Sequence, residues 1–467
     1  MSFTSLAYSI FLPLVFCLYW LLGTRRRAWQ NALLVLASYV FYGWWDARFL
    51  LLILFTTLCS FTCGWAIGVS EQHPRCRKWL NVTNIVANLL ILAFFKYFNF
   101  FSESLADMGR LFGCNVHPVV LQLILPAGIS FYTFQALSYT IDVYMRRIKP
   151  TSDLLSFSAY LCFFPQLVAG PIEKPSHLLP YFQQPRRFSA PEATEGLRLI
   201  LLGLFKKMVI ADNCAASVEN IFSFWQQMDP LVLWVGALLF TLQIYCDFSG
   251  YSDIAIGSAR LFGIRLTTNF RAPYMAVSIA DFWRRWHITL QNWFRDYVYI
   301  PLGGSQRGQW RTYANIFIVF ALSGLWHGAA WTFVCWGLYH AFLFLPFRFL
   351  SGRRLPVWLM RMLTFFCVVV GWVLFRSDSI PDALGYLSRM FSGSFSLALP
   401  PSATQVAIAL GFGLLLSLFE YQTLPEGRVT DKFARLPWWC RRLLYLLMAW
   451  LIILLGAESS AFIYFQF

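Results

Sequence analysis

The chain has 467 residues, of which 58% are hydrophobic and only 13% charged, with a mean hydropathy of +0.57. A soluble domain carries about 25% charged residues, so this balance excludes an ordinary soluble globular protein and predicts an all-α, polytopic membrane protein. The net charge of +15 comes from short Lys/Arg clusters between apolar runs, the pattern of cytoplasmic loops, and nucleic acid is not an expected partner.

The first apolar run, residues 7–23, has no basic leader and no clear cleavage site, and reads as a retained span and not a signal peptide. Arg25, Arg26 and Arg27 follow it. Spans near residues 31–42 and 49–69 are joined by the polar bend Trp45-Asp46-Ala47-Arg48, and Arg75, Arg77 and Lys78 come next. Residues 80–95 and 119–143 supply two further spans, separated by the polar stretch 102–113 and closed by Arg146, Arg147 and Lys149. The positive-inside rule then gives one pattern. The N-terminus, the Asp46 bend and the Ser102 region are outside, and the clusters at Arg25, Arg75 and Arg146 are inside.

The middle of the chain is less regular. Residues 160–173 include Phe163-Phe164-Pro165-Gln166-Leu167-Val168-Ala169-Gly170-Pro171, too short and too broken to cross simply. Irregular backbone is tolerated at membrane depth only inside protein or along a cavity, so a re-entrant hairpin is expected. The segment Asp247-Phe248-Ser249-Gly250-Tyr251-Ser252-Asp253 follows the apolar run 231–246 and is expected to form a polar pocket or a helix break. Capping of the next helix by Ser249 or Asp253 is the structural alternative. Further spans are expected near residues 197–211, 313–325, 329–344, 357–375, 403–419 and 443–455, giving roughly 11 to 13 membrane segments at about 20 residues each. No internal repeat is visible. The Pro/Ser-rich stretch 392–402 is the one expected low-complexity loop, so a single membrane-embedded domain over residues 1–467 is expected.

Two segments carry the chemistry. Residues 281–297 place Phe282, Trp286, Leu290 and Trp293 close to one helical face, with Arg284, Arg285 and Gln291 elsewhere. The pattern predicts one amphipathic helix at or dipping into an interface, carrying His287. Arg284, Arg285 and Arg295 have the planar fork that suits phosphate. Downstream, Trp326-His327-Gly328 sets a histidine in an apolar, Trp-rich run long enough to be membrane-embedded. An ionisable side chain at that depth is costly and marks function by default, and imidazole can accept and return a proton near neutral pH. The bland alternative is a histidine that bonds a neighbouring helix. The 11 cysteines are scattered without a CxxC pair, so they read as small buried hydrophobes, with neither a disulfide framework nor a zinc pattern. No metal site is expected.

These landmarks occur in the order of a known family. Residues 36–42, 95–98, 125–132, 169–171, 247–253, 282–287, 295–297, 325–328 and 370–376 together resemble the membrane-bound O-acyltransferase superfamily. The likeness is strongest to its bacterial alginate O-acetylation branch, which also includes proteins that acetylate cellulose, peptidoglycan and other polymers. The resemblance implies a bundle with re-entrant segments and a central tunnel in the bacterial inner membrane. It implies acetyl-CoA as cytosolic donor substrate with no permanently bound cofactor, an extracytoplasmic polysaccharide as acceptor, contact with membrane lipids, and a periplasmic SGNH-like acetyltransferase partner. The family's catalytic histidine maps onto His327, as general base or as transient acyl carrier. His287 maps onto a second family position, with a role in orienting donor or acceptor. Arg284, Arg285, Lys206 and Lys207 become candidates for the CoA phosphates, with snorkelling or a positive-inside role as the alternative for the two lysines. His73, His117, His177 and His340 are read as incidental. Rival functions are D-alanyl transfer to teichoic acid, lipid acylation, a polysaccharide or acyl-donor transporter, for which an inverted repeat would be the signal, and a scaffold for another acetyltransferase.

Overall fold

In a computed structural model, the described residues are 1–23, 26–114, 116–168, 170–351, 355–393, 403–423, 436–457 and 462–463. Arg25, Ala169 and most of the loop expected at residues 392–402 lie outside them. Every regular element among the described residues is helical. Six helical stretches are long and apolar enough to cross a membrane, with Leu6–Leu21 and Trp331–Phe347 as shorter apolar helices. The chain is a multi-pass membrane protein. Several other segments expected as spans do form helices, but they face protein. The helix Ile129–Tyr144, for instance, buries Gln135, Ser138, Thr140 and Asp142 as fully as its apolar residues.

The chain separates into two compact units. The first comprises Met1–Gly196 with Ala255–Thr267, and carries α1 (Leu6–Leu21), α2 (Arg27–Gly43), α3 (Leu50–Val69), α4 (Pro74–Leu92), α5 (Phe98–Leu111), α6 (Ile129–Tyr144), α7 (Leu154–Cys162), α8 (Phe164–Leu167) and α9 (Pro175–Gln183). The broken apolar segment near residue 163 is found as α7 and α8, separated by Phe163. Its backbone is satisfied by protein and not by water. The Phe164 amide donates to Ser38 Oγ at 3.0 Å, and Gln135 and Gln166 donate to the Tyr160 carbonyl at 2.8 and 2.9 Å. That is the condition for irregular backbone at membrane depth.

The second unit comprises Leu197–Ile254 and Thr268–Phe467. Its helices are α10 (Ala190–Leu204, which starts in the first unit), α11 (Asp212–Ser223), α12 (Pro230–Leu261, whose last turns belong to the first unit), α13 (Ile279–Arg285) and α14 (Ile288–Phe294). They continue with α15 (Gln309–His327), α16 (Trp331–Ser351), α17 (Val357–Arg376), α18 (Ile380–Met390), α19 (Ala403–Thr423) and α20 (Trp438–Leu455). Two expectations are corrected here. Residues 247–253 neither break a helix nor cap one: α12 runs through them for 32 residues. A Cβ on Gly250 would lie 2.8 Å from the Gly203 carbonyl oxygen, so this glycine serves a close crossing with α10 and not a turn. Residues 281–297 do not form one amphipathic helix. α13 ends at Arg285, α14 begins at Ile288, and π-type turns follow at Arg295–Tyr299. Burial decides this, because Phe282, Trp286, His287 and Leu290 are all inaccessible to solvent, and one straight helix turned to an interface would not inter them all.

α15 and α16 form a tight antiparallel hairpin. A Cβ on Gly337 would meet the Phe320 carbonyl oxygen at 2.2 Å, and one on Gly324 would meet that of Phe333 at 2.2 Å. Small residues at such positions let helix backbones approach closely. Gly337→Ala is therefore expected to overpack the hairpin at a cost of about 1–3 kcal/mol, visible as a lowered melting temperature of the detergent-solubilised protein. An unchanged melting temperature would show that the helices part without strain.

Candidate functional site

His327 is the last residue of α15, and Gly328 leaves the helix in an extended conformation before α16 begins at Trp331. The hairpin geometry thus places the imidazole at a helix end while keeping it 2% exposed. Its ring meets Trp326 and Trp336 edge-on, each at 5.1 Å, and Phe375 at 5.7 Å.

His287 reaches the same place by a different route. It occupies the break between α13 and α14 in the left-handed region, with φ +44° and ψ +53°. A non-glycine residue there costs of the order of 1–3 kcal/mol and persists only where surroundings enforce it. The enforcement is visible. The Ile288 amide donates to the Asn269 carbonyl at 2.9 Å, and Thr289 Oγ1 donates to Asn269 Oδ1 at 2.8 Å. The Thr289 amide also donates to Asn269 Oδ1 at 3.3 Å, which identifies that atom as oxygen because an amide N–H only donates. His287 Nδ1, 3.2 Å from the same oxygen, therefore carries the proton, and the lone pair of the neutral ring is on Nε2. Burial holds this imidazole well below its ordinary value, so the neutral form prevails.

The two imidazole centroids are 6.4 Å apart. The surrounding wall is aromatic: Phe248 lies 4.7 Å from the His287 ring, and the fully buried Trp286, Trp336 and Trp372 pack on one another. His340, read from sequence as incidental, is fully buried in this same wall, parallel to Phe282 and edge-on to Trp283 and Trp336. Asn269 and Trp336 were not singled out in the sequence because no local pattern marks them, whereas His340 had a signal, the apolar run that follows Trp326-His327-Gly328. Trp372 and Phe375 had a signal, since they fall in the 370–376 landmark.

The basic candidates divide. Arg284 is exposed on α13. Arg285 Nε donates to Asp281 Oδ1 at 2.9 Å within the same helix and is partly buried. Lys207 is inaccessible, with its ammonium 2.8 Å from both Asp212 Oδ1 and Asp247 Oδ1. Lys206 pairs with Asp253 at 2.9 Å and lies 5.7 Å from the centre of the Tyr245 ring. The reading of Lys206 and Lys207 as phosphate ligands, and equally as snorkelling residues, is corrected accordingly. Both ammonium groups are interior counter-ions, because an unpaired carboxylate in a dry core is costlier than a paired one. Among the described residues, no cluster of three His, Cys, Asp or Glu side chains could hold a metal ion.

Residues 39–376, which contain both site histidines, match the membrane-bound O-acyltransferase family. The chain is 38% identical to a probable alginate O-acetylase of Pseudomonas putida over 98% of both chains. It is 41% identical to a probable alginate O-acetylase of Pseudomonas aeruginosa over 83% of this chain and 74% of that one. A peptidoglycan O-acetyltransferase of Helicobacter pylori is 35% identical, over 83% of this chain and 79% of its own.

Lys207→Met leaves Asp212 and Asp247 buried without their shared cation. Breaking one partner of such a group costs about 3–5 kcal/mol, so the folded yield in membranes should fall sharply. Combining it with Asp247→Asn should recover part of the loss. Normal yield and melting temperature of the single variant would refute the counter-ion role.

Proposed function

The chain belongs to the membrane-bound O-acyltransferase family and is a membrane-bound acyltransferase; on that premise we propose that it takes acetyl groups from cytosolic acetyl-CoA and passes them across the bacterial inner membrane for O-acetylation of an extracytoplasmic polysaccharide. The observation that carries this reading is the pairing of two buried imidazoles 6.4 Å apart within one aromatic wall. The likeness to O-acetylases of alginate and peptidoglycan supports the acetyl group and the polymeric acceptor.

In this reading His327 takes the proton from an attacking hydroxyl. The hydroxyl oxygen bonds to the thioester carbonyl carbon, the tetrahedral oxyanion collapses, the C–S bond breaks, and the departing CoA thiolate takes the proton back from the imidazolium. An oxyanion in a dry site needs a fixed donor or dipole. His287 is a positioning group: its neutral ring offers the Nε2 lone pair to a donor hydrogen. The aromatic wall excludes water, which would otherwise hydrolyse the thioester. Arg284, exposed and on the helix just before His287, is the group we assign to the CoA phosphates. The acceptor hydroxyl belongs either to the polymer or to a periplasmic SGNH-like acetyltransferase that completes the transfer.

His327→Ala, expressed at wild-type level, is expected to cut polymer-linked O-acetyl by about 10²–10⁴-fold, the usual cost of a positioned base. Alkaline release and quantification of acetate from alginate, cellulose and peptidoglycan extracts reads this, and acetylation unchanged in every extract would refute the assignment. Arg284→Ala should raise the KM for acetyl-CoA about tenfold, the loss of one charge-assisted contact, with kcat nearly constant; a fall in kcat alone would place Arg284 elsewhere in the mechanism.

A further inference from the structure

The side chain that meets Nδ1 of His287 is an amide. Asn269, in the segment between α12 and α13, is inaccessible to solvent. Its Oδ1 takes three donors: the Thr289 amide at 3.3 Å, the Thr289 hydroxyl at 2.8 Å and His287 Nδ1 at 3.2 Å. Its Nδ2 faces the other way, 3.5 Å from the hydroxyl oxygen of Ser252 on α12. Turning the amide over would set its NH2 against the Thr289 N–H, and two donors cannot bond one another. The oxygen is therefore held toward the imidazole by Thr289 and Ser252, and not by the imidazole itself.

An amide oxygen at Nδ1 acts on the ring in two ways. It accepts a proton and offers none, so the ring proton stays on Nδ1 and the lone pair on Nε2. It also has no net charge, and so lends an imidazolium far less support than a carboxylate would. The carboxylates on the elements around His287 already hold cations: Asp247 and Asp253 on α12 pair with Lys207 and Lys206, Asp281 on α13 with Arg285, and Asp296 after α14 with Arg295. Among the ring neighbours of His287, Phe248, Phe270 and Trp326 carry no charge, and His327 on α15 is titratable. The charge of His287 is thus decided at Asn269.

Resting on the acetyl-transfer reading, we propose that Asn269 is a positioning residue of the reaction: because it is an amide and not a carboxylate, it keeps His287 neutral, with Nε2 as a hydrogen-bond acceptor for the step at His327. A proton on Nε2 would remove that lone pair. Where it left the ring charged, it would also oppose the imidazolium that forms on His327, whose ring centre is 6.4 Å away. A carboxylate at position 269 would bring this about. A buried carboxylate–imidazole pair takes up one further proton as a unit. If the ring holds that proton, both nitrogens are N–H groups. If the carboxyl holds it and donates to Nδ1, the ring proton moves to Nε2. The acceptor is lost in both cases.

The test compares wild type and Asn269→Asp as full chains in lipid nanodiscs. The exchange is nearly isosteric, a carboxylate accepts all three donors that Oδ1 accepts, and the Ser252 hydroxyl can turn to donate, so the variant should fold. Nitrogen NMR of protein carrying isotope-labelled histidine, with His287 assigned by the signal lost in His287→Gln, reads the ring directly. The wild type should show Nδ1 protonated and Nε2 bare between about pH 5 and 9. Asn269→Asp should show Nε2 protonated at the lower end of that range. Acetyl transfer should follow the same titration. The kcat of Asn269→Asp should be at least about tenfold below wild type near pH 5 and approach it as pH rises, since the extra proton is bound at low pH and leaves at high pH. The KM for acetyl-CoA should stay nearly constant. A wild-type His287 that is charged or has its proton on Nε2 would overturn the proposal, and that spectrum decides the matter if the variant fails to reach the membrane. A loss in Asn269→Asp that is equal at every pH, or no loss at any pH, would overturn it too. The expected spectra with no acetyl transfer even in the wild type would overturn the acetyl-transfer reading and leave the hold of Asn269 on the ring standing.

Discussion

Desolvation of buried charge is the constraint on which the second unit depends. Asp247 sits well inside α12, where a lone carboxylate is too costly to keep ionised. Lys207 answers it and Asp212 together at 2.8 Å each, and the Ile463 amide donates to its other oxygen at 2.8 Å. With those bonds made, α12 has no reason to unwind and continues for 32 residues. The consequence reaches the site through the next residue: Phe248, fixed by the same helix, packs its ring 4.7 Å from His287. One interior ion cluster therefore sets both a helix and one wall of the chemistry.

The site is built on backbone irregularity within that frame. His327 is held by the end of a hairpin whose glycines bring two helices into near contact, and His287 by a left-handed break clamped to Asn269. Neither imidazole could be placed so by the middle of a regular helix, where side-chain direction is dictated by the helical repeat. The left-handed residue is strained, and strained residues collect where geometry has to be held for function. The wall of Trp286, Trp336 and Trp372 keeps the region dry and rigid. In such a medium, fixed dipoles act more strongly than they do in water.

Composition and hydropathy alone established an all-helical, multi-pass membrane protein, and the order of the short landmarks from residue 36 to residue 376 was enough to place it among acyltransferases. His327 was legible because it interrupts an aromatic, apolar run, where an ionisable group is unexpected, whereas His287 lies on an arginine-rich amphipathic segment and was legible only through the ordered landmarks. Tertiary structure alone decided the rest. Hydropathy could not tell that Asp247 and Asp253 would be neutralised by Lys207 and Lys206, since the partners are about 40 to 47 residues away, so a helix break was expected where none exists. Helical periodicity joined residues 281–297 into one element, because a repeat of apolar positions carries no information about a single left-handed residue within it. His340 lies on an apolar run like that of His327, but its contact with Trp283, like that of Asn269 with His287, forms only when separate segments meet. Local pattern reports what a segment can bury; the partner that makes burial affordable is a property of the folded chain.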